Sequence, residues 1–111
     1  MMPFKSKISA NIGLSASPTT VTDTVSASTA HTIIGFSLAN TSASTITVSA
    51  KLNKGASSAF VIKDATVLVG GTLIIVGGDQ KLVLEAGDSL TAYSSASTSC
   101  DAIISYLSAS N

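Results

Sequence analysis

The feature that most constrains this chain is the alternation of apolar and polar residues in nearly every segment. Residues 45–53 show it most clearly, because Ile46, Val48, Ala50 and Leu52 are each separated by one polar residue. A β-strand places successive side chains on opposite faces, so this pattern predicts a strand with one buried and one solvated face. Almost no segment has the period of about 3.6 residues that is typical of an amphipathic helix. The sequence therefore predicts an all-β protein with no helix longer than two turns.

Turn-forming residues divide the alternating segments into eight or nine short strands. Gly, Asn, Asp and Ser cluster between them about every 8–12 residues, a spacing typical of a β-sandwich or a small barrel. We predict a single-domain antiparallel β-sandwich that is jelly-roll-like. Its strands are expected near residues 19–25, 32–39, 45–53, 60–63, 65–69, 72–76, 81–84, 90–93 and 100–108.

The alternation also assigns side chains to the two faces of each strand. In residues 32–39 the main apolar row begins at Ile34 and continues with Phe36. In residues 100–108 the corresponding row is Ala102, Ile104 and Tyr106. Apolar residues on the opposite faces of these strands indicate a second buried surface, formed against either the facing sheet or a neighbouring subunit. These interface candidates are Ile33, Ile103 and Leu107.

The length of the chain, 111 residues, fits one domain. We assign residues 18–111 to the β-sandwich and residues 1–17 to an N-terminal arm or edge strand. The large apolar residues of this segment are too sparse to form a core of their own, so we expect them to be buried on a neighbouring subunit. They are Phe4, Ile8, Ile12 and Leu14.

The charge content favours self-assembly and argues against nucleic-acid binding. Charged residues make up 11% of the chain, and six lysines balance six acidic residues with no arginine. A protein that neutralises phosphates needs an excess of Lys and Arg, so we expect no nucleic-acid partner. Beside 45% hydrophobic residues, the chain has 20 serines and 13 threonines. Few charges and no net charge give little repulsion between copies, so we predict a homo-oligomer.

Redox and targeting signals favour assembly in a cytoplasm. The only cysteine, Cys100, cannot form an internal disulfide, and we expect it to be a small buried hydrophobe in a strand. No apolar run approaches the roughly 18 residues that span a bilayer, so we expect no membrane partner. Residues 8–14 are too polar for the apolar region of a signal peptide, and we interpret the N-terminus as mature protein.

The sequence offers no assembled catalytic or metal site. His31 is the only histidine, it lies at the start of a predicted strand, and no G-x-S-x-G motif accompanies it. Asp79, Glu85 and Asp88 cluster around two turns, where Asp more often caps the turn than binds calcium. We therefore predict no enzymatic activity, no cofactor and no metal. Residues 40–42 match the N-glycosylation sequon, but a plain hairpin turn is the stronger interpretation.

Five segments carry a resemblance to a known class of proteins. They are residues 38–42 (LANTS), 45–48 (TITV), 61–80 (VIKDATVLVGGTLIIVGGDQ), 81–97 (with LVLEAGDSL the best-matched part) and 102–107 (AIISYL). In these segments the chain resembles small virion structural proteins of tailed bacteriophages, of the marine and cyanobacterial phage type. The resemblance implies a non-enzymatic part of the particle: a capsid decoration (cement) protein, a neck or collar protein, or a fibre-attachment protein.

The resemblance also implies partners and a location. A virion protein would contact itself and other virion proteins, such as the major capsid or neck protein. A trimer is our first choice because decoration proteins commonly sit on local threefold axes, which is an analogy with the family. A glycan-binding β-sandwich module stays open as an alternative, although the chain has no Trp, two Tyr and three Phe for stacking on sugars. A hydrolase that uses His31 is the remaining alternative.

Overall fold

A computed structural model describes residues 4–23, 25–77 and 81–110. These residues contain β-strands, turns and bends but no helix, so the predicted all-β class is confirmed. The strands are β1 (Phe4–Ser9), β2 (Thr19–Thr20), β3 (Thr29–Asn40), β4 (Ile46–Lys54), β5 (Ser57–Val67), β6 (Thr72–Val76), β7 (Leu82–Leu84), β8 (Ser89–Ser94) and β9 (Cys100–Ser110).

The strands form two antiparallel sheets. The first, the β9 sheet, has the order β1-β9-β3-β6, and β7 also pairs with β3. Since β6 pairs with residues 36–39 of β3 and β7 pairs with residues 31–33, these two short strands lie one after the other along the same side of β3. The second, the β8 sheet, has the order β2-β8-β4-β5.

Buried side chains from both sheets form one hydrophobic cluster. The β9 sheet contributes Phe36, Leu84 and Ile104, and the β8 sheet contributes Val48 and Leu90, each of them at most 1% exposed. Burying an aliphatic or aromatic side chain of this size stabilises the fold by about 1.5–3 kcal/mol. Because the chain contains a single cysteine and no disulfide, this cluster is the main source of stability.

A β-bulge in β3 changes which residues of that strand face the core. Ile33 pairs with Tyr106 and Gly35 pairs with Ser105, so Ile34 is an extra residue on the β3 side. A bulge shifts the alternation by one residue, and Ile33 therefore faces inward together with Phe36. The expectation that Ile33 lies on the face opposite Phe36 is wrong for this reason.

A second bulge lies within β5, a single strand that spans two of the predicted strands. Residues 60–63 and 65–69 were expected as separate strands, but β5 runs continuously through Asp64, which has a φ of 50°. Opposite the bulge, the Ser49 hydroxyl accepts a hydrogen bond from the backbone N–H of Asp64 at 2.9 Å. Ser49 is fully buried by this arrangement, although the alternation of residues 45–53 placed it on the solvated face.

Part of the N-terminal segment is an integral piece of the fold. Of the two forms expected for residues 1–17, an edge strand describes residues 4–9, because β1 pairs with β9 along its length. The chain then crosses toward the β8 sheet, and the backbone N–H of Ile12 donates to the carbonyl of Cys100 at 2.9 Å. Ile12 is 0% exposed, so it belongs to the protein's own core and not to a surface that contacts a neighbour.

The sequon at residues 40–42 lies where β3 ends and its connection to β4 begins, as the turn interpretation predicts. The Asn40 side chain is buried, and its Nδ2 donates to the carbonyls of Ser44 at 2.8 Å and Val67 at 3.0 Å. Its Oδ1 accepts from the backbone N–H of Ser42 at 2.9 Å. The hydrogen bonds of the Asn40 side-chain amide therefore hold the turn against the end of β5.

Gly13 lies in the segment that crosses between the sheets, and its close backbone contact predicts how a substitution there affects stability. A Cβ at this position would lie 2.2 Å from the backbone carbonyl oxygen of Ser17, far inside van der Waals contact. We expect Gly13→Ala to lower the free energy of unfolding by about 1–3 kcal/mol, because the backbone must shift to make room. Urea unfolding followed by circular dichroism measures this change.

Gly35→Ala is the matched control for this experiment. Its Cβ would meet the nearest atom, Cβ of Ser105, at an ordinary 3.6 Å, and its φ is not in the left-handed region. We expect this variant to be neutral or slightly more stable than the wild type. Equal stabilities of the two variants would show that the close approach at Gly13 does not constrain the fold.

Candidate interaction surface

The side of the β9 sheet that faces away from the core carries two rows of large apolar side chains. Residues that pair across an antiparallel sheet project from the same face, so the strand register defines each row. The first row runs across the strands in the order Ile8, Ile103, Ser37, Ile74. The second runs in the order Phe4, Leu107, Thr32, Val83. We call this surface the outer face.

A row of small residues separates the two apolar rows. Ser6 pairs with Ser105, and Ser105 pairs with Gly35, so all three lie between the rows on the same side of the sheet. These residues have one or two side-chain atoms or none, whereas their neighbours in the flanking rows include Phe, Ile and Leu. On β1 and β9 the outer face therefore has two ridges with a shallow groove between them. On β3 both ridges are low, because the rows carry Ser37 and Thr32 there.

Exposure of large apolar side chains is concentrated on this face. Nine large hydrophobic residues are exposed in the part of the chain that the structure describes, and five of them lie on the outer face. These five are Phe4 (74%), Ile8 (74%), Ile74 (70%), Val83 (52%) and Ile103 (49%). Soluble monomers rarely expose so contiguous an apolar surface, and such a patch marks a site of interaction.

The outer face also carries almost no charge. Among the paired outward residues of the described strands, the only charged one is Asp101, at the margin, and its Oδ1 accepts a hydrogen bond from the backbone N–H of Asn11 at 2.9 Å. Lys5 and Lys7 of β1 pair with Tyr106 and Ile104, which face the core, so both lysines project to the other side of the strand.

The outer side of the β8 sheet has the opposite character. Its exposed Phe60 is flanked by two lysines, with the Lys51 Nζ 4.8 Å and the Lys63 Nζ 5.2 Å from the ring centroid. Both ammonium groups sit within the range of a cation–π contact. This side of the protein is suited to solvent, and the contrast identifies the outer face as the candidate site.

Four of the interface candidates from the sequence lie on the outer face: Phe4, Ile8, Ile103 and Leu107. Three others do not. Ile12 and Ile33 are buried in the core, the first by the crossing between sheets and the second by the bulge in β3. Leu14 is 42% exposed but lies in the connection between β1 and β2, away from the paired rows.

Two residues of the outer face were missed by the sequence analysis. Val83 could have been found, because it alternates with Leu82 and Leu84, which face the core. Ile74 lies in a continuous apolar run, so alternation alone does not assign its face. The irregular register between β3 and β6, which pairs Ser37 with Ile74, decides its position.

The only histidine belongs to a cluster that ties β1 to the rest of the fold. The His31 ring stacks on Tyr106 with 4.5 Å between the centroids, and the Tyr106 hydroxyl donates to Asp23 Oδ2 at 2.9 Å. The Lys7 Nζ lies 3.0 Å from Asp23 Oδ1. These contacts with Lys7 and Tyr106 lower the pKa of Asp23, and burial lowers the pKa of His31.

A second charged cluster occupies the turn between β7 and β8. The Lys54 ammonium binds the carboxylates of Glu85, at 3.1 Å, and Asp88. Asp88 also accepts from the backbone N–H of Glu85 at 2.9 Å, and the hydrogen bond with Lys54 is the main cause of its lowered pKa. Two of the three carboxylates considered for calcium are thus held by a lysine, and the third, Asp79, lies outside the described residues.

No group of three or more potential metal ligands occurs within the described ranges. Cys100 is fully buried at the start of β9, as the sequence predicts, and this burial raises the pKa of its thiol to about 11. No helix that could cross a membrane is found among residues 4–23, 25–77 and 81–110.

Comparison with known proteins gives no further information on this surface. No protein-family model, no curated protein and no solved structure matches the chain. The assignment of the outer face therefore rests on register, exposure and charge.

The His31 cluster generates a prediction about pH. Because the folded-state pKa of His31 lies below the unfolded value of about 6.5, the folded state resists protonation, and stability falls as the pH drops below that value. Lowering the pH from about 7.5 to about 5 is therefore expected to lower the urea midpoint of the wild type.

His31→Phe is the matched variant for this experiment, because a phenyl ring retains the stacking on Tyr106 but cannot be protonated. We expect its urea midpoint to be nearly constant over the same pH interval. The chain has no other histidine. An equal loss of stability in wild type and variant would contradict the assignment.

Proposed function

We propose that this protein is a non-enzymatic structural component of a tailed-phage virion and that it acts as a capsid decoration (cement) protein. The observation that carries the proposal is the outer face of the β9 sheet. It presents Phe4, Ile8, Ile74, Val83 and Ile103 to solvent on one side of one sheet. A surface of this kind is suited to binding another protein and has no arrangement of ionisable groups for chemistry.

The two clusters of ionisable groups around His31 and Lys54 have structural roles that support a non-enzymatic function. His31 stacks on Tyr106, and Asp23 and Lys7 form an ion pair that links the loop after β2 to β1. Lys54 joins the end of β4 to the turn before β8. Each of these groups holds two segments of the chain together.

The strand order supports a jelly-roll architecture, which is part of the proposal. If β6 and β7 are counted as one strand position beside β3, the chain has eight positions, four in each sheet. Successive positions alternate between the sheets except at β4 and β5, which pair with each other in the β8 sheet. A jelly roll has eight strands in two sheets built from two Greek keys, and it recurs in viral capsid domains. Successive strands β1 to β5 enter the two sheets in the sequence expected for that architecture.

The virion context draws on the resemblance described for residues 38–107 and on the chemistry of the chain. A particle component that assembles in a reducing host cytoplasm must be stable without disulfides, and the single Cys100 is free and buried. A zero net charge and few charged residues favour dense association with other subunits. Neck, collar and fibre-attachment proteins share these requirements and differ in copy number.

Copy number in purified particles tests the proposal. Quantitative mass spectrometry of gradient-purified virions, with the major capsid protein as internal reference, would give the ratio of the two chains. We expect hundreds of copies per particle, because a decoration protein follows the capsid lattice. About a dozen copies would assign the protein to the neck or tail instead. Absence from particles that assemble while the protein is expressed would contradict a virion function.

A further inference from the structure

We propose that the outer face of the β9 sheet is occupied by the same face of a second copy of this chain, related by a twofold axis. This inference rests on the proposed structural function and names the partner of its binding surface. It commits to sheet-on-sheet packing, in which the apolar rows of two copies are buried against each other.

Electrostatics favours a second copy as the partner. In a twofold contact, a charge near the axis meets its identical copy, and a charge elsewhere needs an opposite charge as its partner. A face with almost no charge avoids both requirements. The outer face meets this condition, because Asp101 is its only charged paired residue and lies at the margin. The outer side of the β8 sheet does not, because it carries Lys51 and Lys63 beside Phe60, and a contact there would have to desolvate or neutralise both.

The shape of the face is also self-complementary. One apolar row centres on Ile103 and the other on Leu107, and the row of Ser105 and Gly35 runs between them. When one copy is offset by a single row, a ridge of each copy enters the groove of the other. Both copies then make the same ridge-in-groove contact, as a twofold interface requires.

The size of the face is close to what a small stable dimer needs. The paired outward residues fill 16 positions on a grid of four strands about 4.8 Å apart and five rows about 6.8 Å apart. This is roughly 520 Å² of sheet plane per copy before the relief of the side chains is added, close to the lower end of the range of about 600–1,000 Å² per partner in stable interfaces. The five large exposed residues would lose most of their contact with water in such a contact.

The free edge of the β9 sheet is protected against the competing mode of association, in which the edge strands of two copies pair. Strand β1 has a partner on one side only, and its free edge could pair with another β1. Antiparallel pairing centred on Ser6 would place Lys5 of one copy opposite Lys7 of the other. Lysines at an edge strand oppose this pairing. Association is therefore directed to the face and away from the edge.

Two substitutions on the face and one off it test the proposal by sedimentation velocity of the full chain. Ile103→Lys places a charge in the centre of the face, and Ile74→Lys places one at its β6 side. Each substitution occurs twice in a twofold interface, so we expect the dimer dissociation constant to rise at least about 100-fold, equivalent to about 2.8 kcal/mol. Leu68→Lys is the control, because Leu68 is 67% exposed but lies in the turn after β5.

The control variant is expected to dimerise as the wild type does. Thermal unfolding of each variant monitors the fold, and Ile74, at 70% exposure, tolerates a lysine even if the more central Ile103 does not. A wild type that stays monomeric at high micromolar concentration would overturn the proposal. So would equal weakening by Leu68→Lys and Ile74→Lys.

Cross-linking tests the twofold geometry directly. Ser105 lies in the central row of the central strand β9, so a cysteine there is close to its own counterpart in a twofold dimer. With a bismaleimide that spans about 10 Å, the spacing of packed sheets, Ser105→Cys should give a covalent dimer in high yield. Thr47→Cys on the β8 sheet should not, and the native Cys100 is buried.

The trimer expected from the resemblance is the alternative assembly that these experiments distinguish from the twofold dimer. A threefold ring uses two different patches in each contact, so Ser105→Cys would give no covalent dimer and sedimentation would show three subunits. That result overturns the twofold packing but leaves the virion function intact, because copy number in particles is measured separately. Conversely, a protein that forms the twofold dimer in solution but is absent from particles would support the proposed packing and contradict the virion function.

Discussion

The pairing of β3 with β9 is the constraint on which the rest of the structure depends. It runs from Thr29 opposite Ser110 to Asn40 opposite Cys100 and lies in the middle of the β9 sheet. A slip of one residue in such a pair would exchange the core face with the solvent face. The bulge at Ile34 supplies the needed correction in β3, so that Ile33 and Phe36 both reach the core while the outward residues keep their rows.

The charged groups follow from the same arrangement. Both ion-pair clusters lie where a loop or strand end must be held: Lys7 and Asp23 join β1 to the loop after β2, and Lys54 joins β4 to the carboxylates of the turn between β7 and β8. The pairs Lys7–Asp23 and Lys54–Glu85 lie at the surface, where solvent screens the attraction and each pair adds little stability. Their placement matters more than their strength, because none of these groups is among the paired outward residues of the β9 sheet, where Asp101 is the only charge.

Sequence patterns predicted much of this correctly where a strand is regular. In β9 the assigned inward residues Ala102, Ile104 and Tyr106 are buried, and Ile103 faces outward at 49% exposure. The predictions failed at local irregularities. The bulge in β3 moved Ile33 into the core, and the bulge at Asp64 turned two predicted strands into one. Neither bulge changes composition or periodicity enough to be seen without the partner strand.

The sequence by itself determined the all-β class, the positions of most strands and the faces of regular strands, because alternation depends only on each strand's own backbone geometry. Only the tertiary structure decided which strands are neighbours. Hydrogen bonds between distant segments place Phe4 beside Leu107 and Thr32 beside Val83. The uncharged outer face exists only through those pairings, since alternation assigns a side chain to a side of its strand but not to a row across the sheet.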